Sequence, residues 1–366
     1  MDAVSAPATA ALRSRLTRLG VPAPVRVTRL MREAVERLEL DLSGLSVLTE
    51  AGSREYAVTA PLAALAGAAE VTAVTRDSRH GRAADNAAAA TALAELCGVA
   101  SRVRVITELD PRAVSRADIV TNLGFVRPID GAMVRLLKPT AVVPLMCEAW
   151  EWRPGDVDLD ACRERGVLVL GTNEDHPAVD VFDYSGSLGL KLLLEAGVEL
   201  HRSVVVVFGR DRFAPVLADA ARRAGATVHV VAELRSEASR AALRAADALL
   251  VADYAAPDVV VGQGGAIGAA ELVELAPGLC VVQFAGAVDV PALERAGLRC
   301  YPGERLEPRR MSRTLAHLGP RPVIDLHAAG LKVGELAARA RLRGLDVAAA
   351  AALAIGHGGL AQALPS

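Results

Sequence analysis

The sequence lacks a paired-cysteine motif, a block of like charges and an apolar run of transmembrane length. Its five cysteines are scattered without a C-x-x-C pair, which argues against a disulfide framework or a metal site and favours reduced thiols in the cytoplasm. The net charge of −2 gives no reason to expect a nucleic-acid or membrane partner. Arginine or acid interrupts every apolar run before about 18 residues, so no membrane-spanning segment is predicted.

What the chain does have is length and apolar content. With 366 residues and a hydrophobic fraction of 52%, it can form two cores. Strand and helix patterns alternate from residue 45 onward, and a second series of the same kind starts at Val204. Apolar strands separated by helices of roughly ten residues are typical of parallel βαβ units. The pattern therefore predicts an α/β fold with two Rossmann-like, doubly wound parallel-sheet domains and a cleft between them.

The turn after the four valines 204–207 has the layout of a dinucleotide-binding βα turn. In the motif G-x-G-x-x-G the glycines allow a tight bend, approach to the pyrophosphate and close helix packing. Gly209 takes the first position, whereas Asp211 and Ala214 take the second and third. A carboxylate repels a diphosphate unless a cation intervenes. Arg210 and Arg212 flank Asp211 and either neutralise it, hold a phosphate, or form a solvated charged turn.

An acid that would bind the ribose hydroxyls of a dinucleotide is also present. In such domains this acid follows the glycine turn by about 20 residues, and Glu233 lies near that offset from Gly209. An acid at this place favours NAD over NADP. Glu233 is therefore the predicted ribose ligand.

The segment 155–173, which reads GDVDLDACRERGVLVLGTN, resembles the D-2-hydroxyacid dehydrogenase family. In that family this passage closes the substrate domain and precedes an interdomain helix and the cofactor domain, and the same order occurs here. The segments 267–272 and 276–278 resemble the family's helix and turn before a later strand. The resemblance covers residues 115–335 and implies an NAD(P)-dependent oxidoreductase that acts on a small molecule. We expect a homodimer.

On this resemblance we expect a helical arm over residues 1–44, a substrate-type domain over 45–180 and a cofactor-type domain over 181–330. A C-terminal helix within 331–366 is expected to return to the first domain. The interdomain helix is predicted at 181–195, and a strand is predicted at 323–326.

The resemblance also implies catalytic residues. The family uses a histidine as acid/base, a glutamate that raises its pKa, and an arginine that binds the substrate carboxylate. The sequence LHAAG at 326–330 resembles the histidine motif and nominates His327, while the passage 296–304 nominates Glu304. The segment 281–289 contains no arginine, so a simple 2-hydroxy acid is not expected as the substrate. The alternative for His327 is a partly buried histidine bonded to a backbone carbonyl.

Several polar and aromatic residues follow predicted strands of the first half. Ligands bind outside the carboxyl ends of strands in parallel α/β sheets, so these residues are candidates for a substrate cleft. Buried tryptophans at a domain interface are the alternative for two of them. The candidates are Asn122, Glu148, Trp150, Trp152, Asn173 and His176.

A second resemblance concerns residues 47–106, which are similar to the early motifs of S-adenosylmethionine-dependent methyltransferases. It nominates Gly52 in the ligand turn and Asp77 as the ribose acid, with Arg54 at the second glycine position. An ordinary βα turn is the alternative. Two further functions thus stand beside the dehydrogenase: a transferase using S-adenosylmethionine or a nucleotide, and a degenerate, non-catalytic protein that binds a ligand or partner.

Overall fold

The computed structural model describes residues 6–256, 258–307 and 309–365. The chain divides into two compact units. Unit 1 consists of Met1–Val181 together with Gly319–Ser366, and unit 2 consists of Phe182–Leu318. Unit 2 is therefore an insertion within the chain of unit 1. Across the described ranges, no helix is both long and apolar enough to cross a membrane.

Strands and helices alternate through both units. The strands are β1 (Ser46–Glu50), β2 (Glu70–Val74), β3 (Val103–Ile106), β4 (Ile119–Val120), β5 (Val142–Pro144), β6 (Leu168–Thr172), β7 (Val204–Phe208), β8 (Thr227–Val231), β9 (Ala248–Ala252), β10 (Val259–Val261), β11 (Cys280–Ala285), β12 (Ala287–Val288), β13 (Arg299–Tyr301) and β14 (Ala361–Gln362). The helices are α1 (Ala6–Arg18), α2 (Pro24–Arg37), α3 (Thr59–Leu65), α4 (Ala83–Cys97), α5 (Pro111–Arg116), α6 (Gly131–Leu136), α7 (Leu159–Arg165), α8 (Tyr184–Glu195), α9 (Phe213–Arg223), α10 (Glu237–Arg244), α11 (Ala269–Leu275), α12 (Val290–Arg295), α13 (Pro320–Leu342) and α14 (Val347–Gly356).

Unit 1 contains a sheet with the strand order β14-β6-β5-β4-β1-β2-β3. All neighbours are parallel except β14, which runs antiparallel to β6. The chain starts at β1, adds β2 and β3 on one side, and then adds β4, β5 and β6 on the other. This reversal of direction makes the sheet doubly wound, with its switch point between β1 and β4.

Unit 2 contains a parallel sheet with the strand order β13-β11-β9-β7-β8. Here the chain starts at β7, adds β8 on one side and continues with β9 on the other. The switch point of unit 2 therefore lies between β7 and β9, where ligands bind in folds of this kind. A separate pair of short parallel strands, β10 and β12, completes the unit.

The valines of β7 explain why this strand is central. Strands buried on both faces of a parallel sheet are apolar without interruption. Val205 and Val207 point into one core together with Leu217 of α9, whereas Val206 and Phe208 point into a second core. Helices therefore cover both faces of the unit 2 sheet, as the predicted doubly wound fold requires.

The predicted strand at 323–326 is wrong, because these residues lie inside the long helix α13. Pro320 and Pro322 occupy the first turn of this helix, where a missing N–H costs no hydrogen bond. Gly330 and Gly334 lie one turn apart, and a Cβ at Gly330 would meet Met146 Sδ at 2.3 Å. Small residues thus let α13 pack closely on the unit 1 sheet, and that burial outweighs the β propensity of Val323 and Ile324.

Candidate functional site

Gly209 directly follows the strand β7 and needs to be a glycine for a steric reason. A Cβ on Gly209 would lie 2.4 Å from the carbonyl oxygen of Ala252, the last residue of β9, and 3.0 Å from Ala214 Cβ. Cβ atoms are not found at such a distance from a backbone oxygen. The predicted role of Gly209 in a tight turn is therefore matched by close packing of the β7 turn on β9 and α9.

The carboxylate of Asp211 is bound by backbone amides within unit 2. Oδ1 accepts a hydrogen bond from Phe213 N–H at the start of α9 (3.0 Å), and Oδ2 accepts bonds from Tyr254 N–H (2.7 Å) and Ala255 N–H (3.4 Å). Burial raises the pKa of Asp211, and these three amides act in the opposite direction. Asp211 therefore ties the turn after β7 to the turn after β9.

The two flanking arginines contact groups other than Asp211. The guanidinium of Arg210 binds the carboxylate of Asp253, with Nε 2.7 Å and Nη2 2.6 Å from Oδ2. The guanidinium of Arg212 lies over the Phe182 ring, 3.5 Å from its centroid, in cation–π geometry. Arg210 therefore balances the charge of Asp253.

Asp253 is a residue that the sequence analysis missed. It follows β9 directly, its side chain is fully buried, and its Oδ1 has no hydrogen-bond partner in the described part of the chain. Buried carboxylates require a paired cation, which explains the position of Arg210. The signal available in the sequence was an acid immediately after a buried strand at the switch point.

A pocket of about 450 Å³ opens at the carboxyl ends of β7 and β8. Glu233, the predicted ribose ligand, lies two residues beyond β8 and lines this pocket. No hydrogen bond or ion pair within the described residues occupies the Glu233 carboxylate, which is exposed. The pocket is lined by Phe208, Arg210, Glu233, Arg235, Ala256 and Asp258, among others. This pocket brings together two of the predicted cofactor residues, Arg210 and Glu233.

A second pocket of unit 2, of about 560 Å³, borders β12 and the start of α12. It shares Asp258 and Val259 with the first pocket but contains none of the residues predicted for the site. We place the candidate site in the smaller pocket, because that pocket, unlike the other, lies at the carboxyl end of β7, one of the two switch-point strands.

His327 lies in the middle of α13 in unit 1, and only 2% of its surface is exposed. Its Nδ1 is 2.7 Å from Thr59 Oγ1, and its ring centroid is 5.9 Å from that of Tyr56. Burial lowers the pKa of His327 to about 3. The expected rise of this pKa is wrong, because desolvation favours the neutral imidazole and no carboxylate of the described residues offsets it.

Glu304 belongs to unit 2, where it is exposed and forms a bidentate ion pair with Arg313. Arg313 Nη1 lies 2.6 Å from Glu304 Oε2, and Nη2 lies 3.1 Å from Oε1. The Glu304 carboxylate thus binds an arginine. We therefore do not assign an acid/base pair of Glu304 and His327.

The predicted cleft residues of unit 1 include three that follow β4 and β5. The Asn122 side-chain oxygen accepts a hydrogen bond from Met146 N–H (2.7 Å), which joins the ends of those two strands. The Trp152 indole N–H donates to the Val157 carbonyl (3.2 Å). Trp150 is 42% exposed. Asn122 and Trp152 therefore hold the loops of unit 1 together, which is a structural role.

The other three cleft candidates bind the C-terminal segment. The Glu148 carboxylate accepts a hydrogen bond from the Gln362 side chain of β14 (2.9 Å). Asn173 Nδ2 donates to the Gly359 carbonyl (3.0 Å), and His176 Nε2 lies 3.0 Å from the Gly358 carbonyl. These contacts position β14 against β6, so these side chains are engaged within unit 1.

The residues of the methyltransferase-like signal lie at the carboxyl ends of β1 and β2. A Cβ on Gly52 would meet Tyr56 Cβ at 2.5 Å, so this glycine is needed for a tight turn. Arg54 is exposed and adopts a left-handed conformation with φ 53°. Asp77 Oδ1 accepts a hydrogen bond from Ala83 N–H at the start of α4 (2.7 Å). This arrangement is that of an ordinary βα turn.

Glu50, the last residue of β1, was not singled out from the sequence. Its Oε2 accepts a hydrogen bond from Phe125 N–H (3.1 Å), next to the end of β4. Burial raises the pKa of Glu50 to about 7, against the opposing effects of the Phe125 and Gly124 amides and of Arg127. Glu50 is a buried carboxyl at the switch point of unit 1.

No protein-family model and no curated protein matches the sequence. Solved structures do match. The dipicolinate synthase structure from Bacillus subtilis aligns with a TM-score of 0.51 and 13% identity over 82% of this chain and 99% of that chain. The dipicolinate synthase structure from Bacillus halodurans aligns with a TM-score of 0.49 and 16% identity over 79% and 96%. The NAD+-bound 3-phosphoglycerate dehydrogenase of Entamoeba histolytica aligns with a TM-score of 0.43 and 10% identity over 83% and 97%.

At 13% identity, the likeness to the Bacillus subtilis protein shows the fold. The predicted fold class, with two Rossmann-like parallel-sheet domains, is confirmed. The chain shares this fold with the dipicolinate synthase structure from Bacillus subtilis.

Proposed function

We propose that the chain is an NAD-dependent oxidoreductase whose unit 2 binds the dinucleotide. The observation that carries this proposal is the Glu233 carboxylate in the pocket at the carboxyl ends of β7 and β8. In dinucleotide-binding domains an acid at the end of the second strand accepts hydrogen bonds from the ribose hydroxyls. A carboxylate there repels the 2′-phosphate of NADP, so NAD is the expected cofactor.

The chain's own groups fit the adenosine half of the cofactor. The pocket supplies apolar walls from Phe208 and Ala256, and Glu233 supplies an acceptor for hydroxyl groups. When bound, NAD supplies the hydride chemistry, and the protein's part is to bind and orient it. The substrate is proposed only as a small molecule, since residues 281–289 lack the arginine that would bind a carboxylate.

A second candidate function is a nucleotide-binding protein without catalysis. The burial of His327 and its lowered pKa favour it, because the predicted acid/base is a neutral core residue. The S-adenosylmethionine alternative receives no such support, since its nominated acid, Asp77, holds the loop before α4.

The test is calorimetric titration of the purified chain with NAD+, NADP+ and S-adenosylmethionine, together with thermal unfolding in each ligand. We expect NAD+ to bind and to raise the unfolding temperature, since a ligand that binds only the folded state stabilises it. Binding should weaken by about 10- to 100-fold in Glu233→Ala, as for loss of a charged hydrogen-bond acceptor.

The control for this substitution is Glu199→Ala, an exposed glutamate of unit 2 outside the pocket. It should bind NAD+ like the wild type. Absence of any nucleotide response in the wild type would refute the proposal. NAD+ binding without turnover across a panel of 2-hydroxy and 2-oxo acids, alcohols and aldehydes would favour the non-catalytic candidate.

A further inference from the structure

The backbone amide that a diphosphate would use at the start of α9 is already taken. In an intact glycine turn, the diphosphate accepts hydrogen bonds from backbone N–H groups at the helix N-terminus. Here the Asp211 carboxylate accepts the Phe213 N–H (3.0 Å) and also the Tyr254 N–H (2.7 Å). The chain thus places its own anion at the β7 turn, and a diphosphate needs other donors.

At the same edge of the sheet, the Arg210 guanidinium has N–H groups that do not contact Asp253. A guanidinium has five N–H groups, and only Nε and Nη2 contact Asp253 Oδ2. The Arg210 side chain is 56% exposed and lines the pocket that contains Glu233, whereas Asp253 beneath it is 0% exposed. The outward edge of the guanidinium therefore faces the pocket.

Asp253 fixes the orientation of this group. A contact through two nitrogens to one buried oxygen restricts the rotation of a long, flexible side chain. A guanidinium held in this way loses less conformational entropy on binding an anion, and its planar donors match phosphate oxygens. What Arg210 provides is directed hydrogen bonds rather than net charge, since Asp253 balances its charge.

We propose that Arg210, in place of the amides of the glycine turn, binds the diphosphate of the nucleotide in the unit 2 pocket. Asp253 is the positioning residue that holds the guanidinium toward that pocket. This inference rests on the proposed function, and it names the donor that replaces the Phe213 amide, which Asp211 occupies.

The test measures dissociation constants for adenosine, AMP, ADP-ribose and NAD+ by calorimetry at fixed salt. Arg210→Met should raise the dissociation constants of ADP-ribose and NAD+ by about 10- to 100-fold, as expected for the loss of a charged hydrogen bond. The dissociation constant of adenosine should change by less than about 3-fold, because adenosine has no phosphate. The matched control is Arg223→Met, which removes the same charge from the exposed C-terminal end of α9, outside the pocket, and should leave all four dissociation constants unchanged.

The double variant Arg210→Met with Asp253→Asn guards against misfolding, because it removes the buried charge together with its partner. It should show the same phosphate-dependent loss as Arg210→Met. If adenosine binding and NAD+ binding weakened equally, Arg210 would have a structural role and the inference would be overturned. Unchanged dissociation constants for all four ligands in both variants would also overturn it. If the wild type binds none of the four ligands, the proposed function itself fails, which is a different outcome from wild-type binding that ignores Arg210.

Discussion

His327 should lower the free energy of unfolding of unit 1 as the pH falls, an effect opposite in sign to that of Glu50. This histidine is buried in α13 with its Nδ1 on the Thr59 hydroxyl, and its pKa is lowered to about 3. It is therefore neutral in the folded protein down to strongly acidic pH. In the unfolded chain the same imidazole is in water and is protonated below its ordinary pKa of about 6.5.

Proton linkage gives the sign and the size of the effect of His327 on the free energy of unfolding. Below pH 6.5 the unfolded state binds a proton that the folded state does not bind, so the free energy of unfolding decreases as the pH falls toward 3. The slope for one group is about 1.4 kcal/mol per pH unit, which gives about 2 kcal/mol lost between pH 8 and pH 5. Above pH 6.5 the imidazole is neutral in both states, and His327 causes no loss of stability.

Both tryptophans of the chain, Trp150 and Trp152, lie in unit 1, so tryptophan fluorescence reports the unfolding of the unit that contains His327. Urea titrations at pH 8, 7, 6 and 5 should be compared between the wild type and His327→Gln. The glutamine does not titrate, so the stability difference should shift by about 2 kcal/mol in its favour toward pH 5.

The control is His80→Gln, which changes an exposed histidine of the same unit. Its stability should follow the wild type over this pH range. Parallel pH profiles of the wild type and His327→Gln would refute the reasoning, because they would show that the imidazole is protonated in the folded state.

Substitutions of three further residues, Glu50, Gly209 and Asp211, test the two switch points. Because burial raises the pKa of Glu50 from 4.5 to about 7, the folded state holds a proton that the unfolded state releases. Glu50→Gln should therefore gain about 3 kcal/mol relative to the wild type between pH 4.5 and pH 7 in tryptophan-monitored urea titrations, and a constant difference would contradict this. Gly209→Ala should lower the free energy of unfolding by about 1–3 kcal/mol, because the new Cβ would lie 2.4 Å from a carbonyl oxygen. Gly268→Ala, with no atom within 4 Å of the new Cβ, should change little, and equal losses in calorimetric melting would argue against the steric explanation. Asp211→Ala should also lower the free energy of unfolding by about 1–3 kcal/mol, because the Phe213 and Tyr254 amides lose their acceptor. Asp211→Asn should lower it by less. Unchanged melting of both variants would refute this role of Asp211.

The sequence predicted the elements that depend on local pattern. The alanine-rich stretch 83–97 forms the helix α4 and the valines 204–207 lie in the strand β7, because each of these local compositions favours one structure. Residues 323–326 form part of the helix α13 rather than the predicted strand. The β-branched residues favour a strand locally, but the glycines that pack α13 on its sheet favour the helix.

The candidate site was predictable only in part. Glu233 was predicted from its offset from Gly209 and Arg210 from its place beside Asp211, and both residues line one pocket. The Arg210–Asp253 pair joins residues 43 positions apart. The Asp211–Tyr254 bond has the same separation. Such contacts depend on how closely β7 and β9 approach each other, which no local pattern in one sequence encodes.

The insertion of unit 2 within unit 1 has a consequence for protein synthesis. The ribosome completes every residue of unit 2 before it makes α13 and β14, which finish the sheet and core of unit 1. At about 5–20 residues per second, β6 waits tens of seconds for its β14 partner. The growing chain thus folds its second unit first while it carries an open strand edge, the feature that proteins otherwise cover to prevent aggregation.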